Sequence, residues 1–157
     1  MKILTQPILD KIGLYPNKID WYKLCLEYIL PEDFIDKYQI YILWDKIGWR
    51  QKLSENFIRK FQDRLIWNQI SAHQLLSEDF IEEFKNKINW TYISSDQALS
   101  EDFIRKFQDK LDWYWISRNQ ILSEEFIREF KDIVHWSWIF SSQELSERFI
   151  IEFQERI

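Results

Sequence analysis

The chain has 157 residues, of which 46% are hydrophobic and 30% are charged, and its formal net charge is −5. The negative charge disfavours nonspecific binding to nucleic acid or to an anionic membrane, because both depend on clustered Lys and Arg side chains. The single cysteine, Cys25, cannot form an internal disulfide, and the N-terminus lacks the long apolar run of a secretory signal or a membrane span. We therefore expect a cytoplasmic protein whose partner presents a basic or neutral protein surface.

The first 20 residues predict an N-terminal cap formed by a degenerate helix. Pro7, Gly13 and Pro16 interrupt that helix, and Ile19-Asp20 lead into the first tryptophan of a regular pattern. The terminal units of a repeat protein must present a polar face to water, and we expect residues 1–20 to serve that purpose.

From Trp21 onward the sequence repeats every 23 residues. A leucine and a Phe-Ile pair keep the same interval as the tryptophans, and a constant period of this length indicates a chain built by stacking one small unit. The phased tryptophans are Trp21, Trp44, Trp67, Trp90, Trp113 and Trp136. The pattern predicts six repeats, at residues 21–43, 44–66, 67–89, 90–112, 113–135 and 136–157.

Two helices are predicted in each repeat unit. Ser54 can accept a hydrogen bond from a first-turn N–H, and Leu53 and Ile58 stand at the positions of a hydrophobic staple. The apolar spacing from Phe57 to Leu65 then predicts an amphipathic helix of about three turns. A second, shorter helix is predicted to begin at the next phased tryptophan.

The start of this second helix differs between copies. The residue before the tryptophan is a good N-cap in some copies and a poor one in others, so we expect frayed or 3₁₀ starts where the cap is poor. The good caps are Asp20, Asn89 and Asp112, and the poor ones are Leu43, Ile66 and His135.

A pair of short helices cannot bury its apolar face alone, so neighbouring repeats must supply the core. We therefore predict an all-α fold, an α-solenoid of six stacked two-helix repeats with an N-terminal cap. The indole rings are expected to lodge between successive helix pairs.

The segment from Leu99 to Trp113, LSEDFIRKFQDKLDW, is followed by Ile116-Ser117 and Gln120. It resembles the tandem repeats of proteins encoded by giant DNA viruses and by some AT-rich microbes. The resemblance covers residues 21–157 and implies a repeat protein, and it transfers no catalytic residue. The first two repeats depart from the pattern at three places, which are Tyr28, Pro31 and Gly48-Trp49.

Polar residues also recur on the apolar stripe of the shorter helix. A glutamine there must find hydrogen-bond partners, and we expect a ladder in which each amide bonds backbone of its own or the next repeat. The serines on this stripe are expected to let helices approach closely. The glutamines are Gln51, Gln74, Gln97, Gln120 and Gln143, and the serines are Ser71, Ser94 and Ser117.

The residues give no positive sign of catalysis. No His or Lys recurs in phase to activate the serines, and His73 and His135 occupy different positions in their repeats. The chain has neither metal-ligand spacing nor a glycine-rich phosphate loop. We predict a protein that is not an enzyme, with no catalytic residue, no cofactor and no metal site.

The variable positions of the shorter helices suggest a recognition surface. Tyr92, Tyr114, Trp115 and Trp138 follow their tryptophans by one or two residues, so they could form an aromatic row across residues 90–157. Such side chains supply a large contact area at low entropy cost. The alternative is that they only pack between adjacent short helices.

Three functional hypotheses follow from this pattern. The first is a protein-binding module, with a host protein as its target in a viral setting and the host cytoplasm as its location. The second is a scaffold that forms homo-oligomers through Ile151, which replaces a charged residue in the last repeat. The third, a nucleic-acid reader, is disfavoured by the net charge and by the lack of an in-phase basic column.

Overall fold

The structure is a computed structural model that describes residues 1–156, and its backbone forms two compact units. The first unit is Met1–Gln74 and the second begins at Leu75. Each unit is built from pairs of short helices. We call the helices that start at a phased tryptophan the tryptophan helices, and those that carry the Phe-Ile pair the phenylalanine helices.

In the first unit, a short parallel strand pair joins the N-terminal segment to the first repeat. Strand β1 (Lys2–Ile3) pairs with β2 (Tyr28–Ile29), with Lys2 opposite Tyr28. The helices are α1 (Gln6–Leu14), a 3₁₀ helix (Pro16–Lys18), α2 (Trp21–Glu27), α3 (Glu32–Lys37), α4 (Trp44–Arg50), α5 (Glu55–Lys60) and α6 (Trp67–His73). Helix α1 runs through Pro7 and Gly13 and ends at Leu14, before Pro16, so the expectation that Pro7 and Gly13 interrupt it was wrong. The role of residues 1–20 as a cap stays a prediction.

In the second unit, the regular secondary structure of the described residues is entirely helical. They are α7 (Glu78–Glu83), α8 (Trp90–Asp96), α9 (Glu101–Lys106), α10 (Trp113–Asn119), α11 (Glu124–Glu129), α12 (Trp136–Ser142), α13 (Glu147–Glu152) and a 3₁₀ helix (Gln154–Arg156). Helix α10 packs against both α8 and α12. The predicted all-α solenoid class and the 23-residue tandem repeat are confirmed.

The phenylalanine helices begin where the sequence predicts but end earlier. Ser54 Oγ accepts a hydrogen bond from Phe57 N at 3.2 Å, and Ser100 Oγ accepts one from Phe103 N at 3.1 Å. Helix α5 nevertheless ends at Lys60, and a turn replaces the third helical turn predicted up to Leu65. In that turn, Arg64 N and Leu65 N both donate to Phe61 O. The apolar periodicity continues because Phe61 and Leu65 stay buried in the turn.

The tryptophan helices all start at the tryptophan, whatever the quality of the cap. Helices α4, α6 and α12 have no side-chain cap, as expected, and their bounds match those of the capped copies. In these three the first bond has the 3₁₀ spacing of three residues, for example Trp138 N donating to His135 O at 2.9 Å. The expected 3₁₀ start is therefore seen in the first hydrogen bond of these helices, but the helices are not shortened.

Isoleucine columns form much of the core. Ile58, Ile81, Ile104 and Ile127 on the phenylalanine helices are fully buried. The isoleucines of the tryptophan helices are also fully buried, and in the second unit they are Ile93, Ile116 and Ile139. Each column comes from a single position of the repeat, as expected for a chain that buries the same residue of every copy.

The glutamine ladder exists, but its bonds run to the preceding repeat. Gln120 Nε2 donates to Gln97 O at 2.8 Å and to Ser94 O at 3.2 Å, and Gln120 Oε1 accepts from Leu99 N at 3.0 Å. The expectation that each glutamine bonds its own or the next repeat was therefore wrong, because the bonds of Gln120 reach back to the preceding repeat. The amide enters the gap where the preceding tryptophan helix ends, because backbone groups are left without helical partners there.

The phased tryptophans pack their rings within their own repeat, not between successive helix pairs as expected, and most are only half-buried. Trp113 stacks on Phe126 at a centroid distance of 6.3 Å and lies tilted against Phe130 at 4.9 Å. Its Nε1 donates to Gln108 O, in the turn before it, at 3.1 Å. The ring therefore joins the preceding turn to the next phenylalanine helix while one edge remains accessible.

Candidate protein-binding surface

The aromatic residues predicted at the variable positions lie on the tryptophan helices of the second unit. Trp115 and Tyr114 are in α10, Trp138 is in α12 and Tyr92 is in α8. Tyr92 and Tyr114 are exposed, at 39% and 36%, whereas Trp115 and Trp138 are half-buried. These helices present the four side chains because their opposite faces are occupied by the buried isoleucine and glutamine positions.

Three of the four aromatic residues form a cluster. The ring of Tyr114 meets Trp115 at a centroid distance of 5.0 Å and Trp138 at 5.5 Å, both at an interplanar angle of 87°. It also lies 5.5 Å from the ring of His135. Edge-to-face contacts of this kind add to the stability of aromatic pairs and restrict how the rings can turn. We refer to Tyr114, Trp115 and Trp138 as the aromatic cluster.

Tyr92 is separate from the aromatic cluster. Within residues 1–156 its ring makes no stacking or edge contact with another aromatic ring. The predicted continuous row across three repeats is therefore two separate features, an isolated exposed tyrosine on α8 and a compact cluster on α10 and α12.

Arg118 completes the cluster, and the sequence analysis did not single it out. Its Cζ lies over the ring of Trp138 at 4.5 Å from the centroid and over that of Trp115 at 5.4 Å. A guanidinium between two indoles gains cation–π attraction to both. The signal was present in the sequence, since Arg118 follows Trp115 by three residues and therefore shares its face of the helix.

The indole N–H groups divide the tryptophans into two classes. Each phased tryptophan donates to the carbonyl oxygen five residues earlier, for example Trp90 to Lys85 O at 3.1 Å and Trp136 to Lys131 O at 3.0 Å. The N–H groups of Trp115 and Trp138 have no such acceptor among residues 1–156, and neither nitrogen is buried. Both can therefore donate a hydrogen bond to a partner.

This face carries little charge. Arg118 is the only charged residue in α10 and α12, whose other polar residues are serines and Asn119. Asn119 is engaged, because its Nδ2 donates to Ser95 O at 2.9 Å. The phenylalanine helices of the same unit are instead crossed by ion pairs between repeats, such as Arg105 with Glu129 and Lys106 with Glu82.

Ile151, the residue predicted for self-association, is 59% exposed on α13. At the same position in earlier repeats of this unit stand Glu82, Arg105 and Arg128, and each pairs with the following phenylalanine helix. Ile151 lies next to Ile150, the last member of the isoleucine column, which is also exposed, so α13 presents two adjacent exposed isoleucines.

The serines and the cysteine on the apolar stripe are buried. The hydroxyl of Ser117 donates to Trp113 O at 2.7 Å and accepts from His135 N at 2.9 Å, and Ser94 does the same with Trp90 and Asp112. These serines connect repeats as well as allowing close approach. Burial raises the pKa of the Cys25 thiol, which keeps it protonated and poorly nucleophilic.

The described residues bring together no group of three or more His, Cys, Asp and Glu side chains that could hold a metal ion. None of the helices in that same part of the chain combines the length and the apolar character that a membrane crossing requires. No protein-family model, curated protein or solved structure matches the chain.

Proposed function

We propose that the chain is a non-enzymatic protein-binding module that recognises its partner through the aromatic cluster and Tyr92. The observation that carries this proposal is the pair of indoles, Trp115 and Trp138, whose N–H groups remain available while the phased tryptophans use theirs within the fold. Tryptophan, tyrosine and arginine are the residue types most enriched among those that dominate binding energy.

The rigidity of the cluster supports this function. The edge contacts of Tyr114 and the position of Arg118 over both indoles hold the side chains before a partner arrives. Binding then costs less side-chain entropy than it would for freely rotating groups. The absence of other charge on α10 and α12 lowers the desolvation cost of covering this face.

The finer identity that we propose follows the resemblance of the repeat. The chain would belong to the repeat proteins of giant DNA viruses and AT-rich microbes, and it would act in the cytoplasm. In a viral setting its partner would be a host protein. Support comes from the in-phase match of the Leu-Ser-Glu, Phe-Ile, Trp and Gln positions over residues 21–157.

A capture experiment tests the binding surface. The tagged chain and a variant with Tyr92, Trp115 and Trp138 all changed to Ala are used to capture proteins from cytoplasmic extract. We expect the variant to lose the partners that the wild type retains. A control variant, Tyr22→Ala with Trp49→Ala, removes exposed aromatic residues from tryptophan helices of the first unit and should retain them.

Circular dichroism must show the same helical content for all three proteins, so that a loss of partners is not a loss of fold. If the triple variant captures the same partners as the wild type, the aromatic surface is not the binding site. If only the control loses them, the site lies in the first unit.

The alternative function is a self-associating scaffold, which the exposed pair of Ile150 and Ile151 favours. Two copies would cover this apolar pair by joining their α13 helices. Sedimentation of the wild type should then show a concentration-dependent dimer that Ile151→Glu abolishes. A monomer at every concentration, for both proteins, would leave the scaffold function without support.

A further inference from the structure

We infer that Arg118 recognises a carboxylate of the partner, an Asp or Glu side chain in a peptide segment that lies across the aromatic cluster. This inference rests on the proposed function and names the chemistry of its central contact. Arg118 would then determine which residue of the partner peptide lies at the centre of the cluster, and the indoles of Trp115 and Trp138 would flank that contact.

The first reason is that Arg118 has no carboxylate partner within residues 1–156. Three other arginines of the second unit, Arg105, Arg128 and Arg156, are paired, whereas the exposed Arg148 has no ion pair among the described residues. Arg105 bonds Glu129 at 2.9 Å and Asp102 at 3.0 Å, and Arg128 bonds Glu152 at 3.0 Å. All five N–H donors of the Arg118 guanidinium therefore remain available to a partner.

The second reason is the position of the guanidinium. Its Cζ lies 4.5 Å from the ring centroid of Trp138 and 5.4 Å from that of Trp115. Contact with these rings restricts an exposed side chain that would otherwise lose much rotational entropy on binding. An Arg held in this way suits a planar carboxylate, because two parallel N–H···O bonds can form along one edge.

The third reason is local charge. The whole chain carries a net charge of −5 and for that reason favours a basic or neutral partner surface, but α10 and α12 together carry one positive charge and no negative charge. An acidic side chain that approaches this face meets attraction from Arg118 without competition from a neighbouring carboxylate on either helix. The electrostatic preference of this site is therefore opposite to that of the chain as a whole.

A peptide carboxylate fits better than the phosphates of a nucleic acid. Arginine beside aromatic rings is also found in single-strand binding, but affinity for a polyanion requires several cations along its path. Arg118 is the only charged residue on the two helices that form the site. One charge can fix a single carboxylate within an otherwise uncharged contact.

The test is a selection of random twelve-residue peptides displayed on phage, carried out on the immobilised full chain. We expect the selected peptides to share an Asp or Glu at one aligned position, flanked by uncharged residues. The same selection on Arg118→Glu should replace this acidic residue by Lys or Arg. A matched control, Arg148→Glu, makes the same charge change on the exposed surface of α13 and should select the wild-type peptides.

Affinities of a selected peptide then test the contact directly. Changing its acidic residue to the amide form should weaken binding about ten- to a hundredfold, the value of a charge-assisted hydrogen bond. Arg118→Ala should cause a similar loss, and the amide peptide should bind Arg118→Ala no more weakly than the acidic peptide does.

The outcomes separate this inference from the proposed function. Peptides that lack an acidic position but lose binding to Trp138→Ala would overturn the role of Arg118 and keep the aromatic surface. Selection of no peptide by the wild type would count against both. Binding of a twelve-residue oligothymidine that Arg118→Glu abolishes would overturn the carboxylate assignment in favour of phosphate.

Discussion

Trp113 and Trp115 lie two residues apart on one short helix, yet their indoles have different environments. Trp113 contacts Phe126 and Phe130 and donates its N–H to Gln108 O. Trp115 contacts Tyr114 and Arg118 at the surface. Two tryptophans of one short helix thus have different roles in the structure: Trp113 packs in the fold and Trp115 lies on the proposed binding surface.

This difference predicts unequal effects on stability. Trp113→Ala should lower the free energy of unfolding by about 2–4 kcal/mol, slightly less than for a fully buried tryptophan because the ring is half-buried. Trp115→Ala should lower it by less than about 1 kcal/mol. Urea denaturation followed by circular dichroism measures both. Equal losses would show that the cluster is part of the core.

The buried side-chain amide of Gln120 is expected to contribute strongly to the free energy of unfolding. Gln120 is buried and satisfies two carbonyls and one N–H of the preceding repeat. Gln120→Leu would leave those groups without partners, so we expect a loss of about 2–4 kcal/mol in the free energy of unfolding.

The control for this prediction is Gln108→Leu. Gln108 is exposed and donates to Arg105 O at 3.1 Å in its own turn, so its loss should cost less than about 0.5 kcal/mol. If the two variants unfold at the same urea concentration, the ladder does not hold repeats together.

At the scale of the element, successive phenylalanine helices of the second unit are tied together through their first turns. Ser123 N donates to Glu101 Oε1 at 2.7 Å, and Ser146 N donates to Glu124 Oε1 at 2.6 Å. The serine that caps one helix is therefore held by the first residue of the helix before it. The Leu-Ser-Glu motif therefore stabilises two places in the chain. Its serine caps the helix of its own repeat, and its glutamate accepts a hydrogen bond from the serine N–H of the following repeat.

This link predicts a pH dependence. Hydrogen bonds from the hydroxyl and the N–H of Ser146, with Arg128 nearby, hold the pKa of Glu124 below its ordinary value of 4.5. Because the folded pKa is the lower one, the stabilisation is complete above the unfolded pKa and is lost as pH falls through the folded pKa. The difference in unfolding free energy between wild type and Glu124→Gln should therefore shrink below about pH 4.5.

Denaturation curves at pH 7 and pH 3 measure that difference. Glu125→Gln is the control, since it removes the same charge from the neighbouring exposed residue. The same shrinkage in both variants would assign the effect to net charge and not to the bonds of Glu124.

The starts of these helices could be predicted from the sequence, and their ends and partners could not. Ser54 caps its helix through a bond to Phe57, three residues away, so the signal is local. Helix α5 ends at Lys60 because the chain turns to keep Phe61 and Leu65 in the core. That turn depends on contacts distant in sequence, which periodicity does not encode.

The candidate site, too, could be predicted from the sequence only in part. Tyr114, Trp115 and Trp138 could be identified because they interrupt otherwise polar positions of the repeat. The spacing of Arg118 from Trp115 is visible in the sequence, but its contact with Trp138 of the next repeat required the side-chain geometry.

At the scale of the whole molecule, each unit is a sum of similar junctions. Within the second unit the same glutamine, serine and glutamate bonds recur at an interval of one repeat. Stability in such proteins is approximately the sum of the repeats and of the interfaces between neighbours. The effect of a core substitution should therefore decline with distance along the chain.

Hydrogen exchange measures this decline. Ile116 is fully buried on α10, which packs against α8 and α12, so Ile116→Ala should cost about 2–5 kcal/mol and speed amide exchange in all three helices. Exchange in α2 and α4 should remain at the wild-type rate, because a weakened junction opens locally before the array unfolds. Ile121→Ala, at a position that is 95% exposed, is the matched control and should leave every helix unchanged. Equal acceleration in α2, α4 and α12 would mean that the described chain unfolds as one cooperative body.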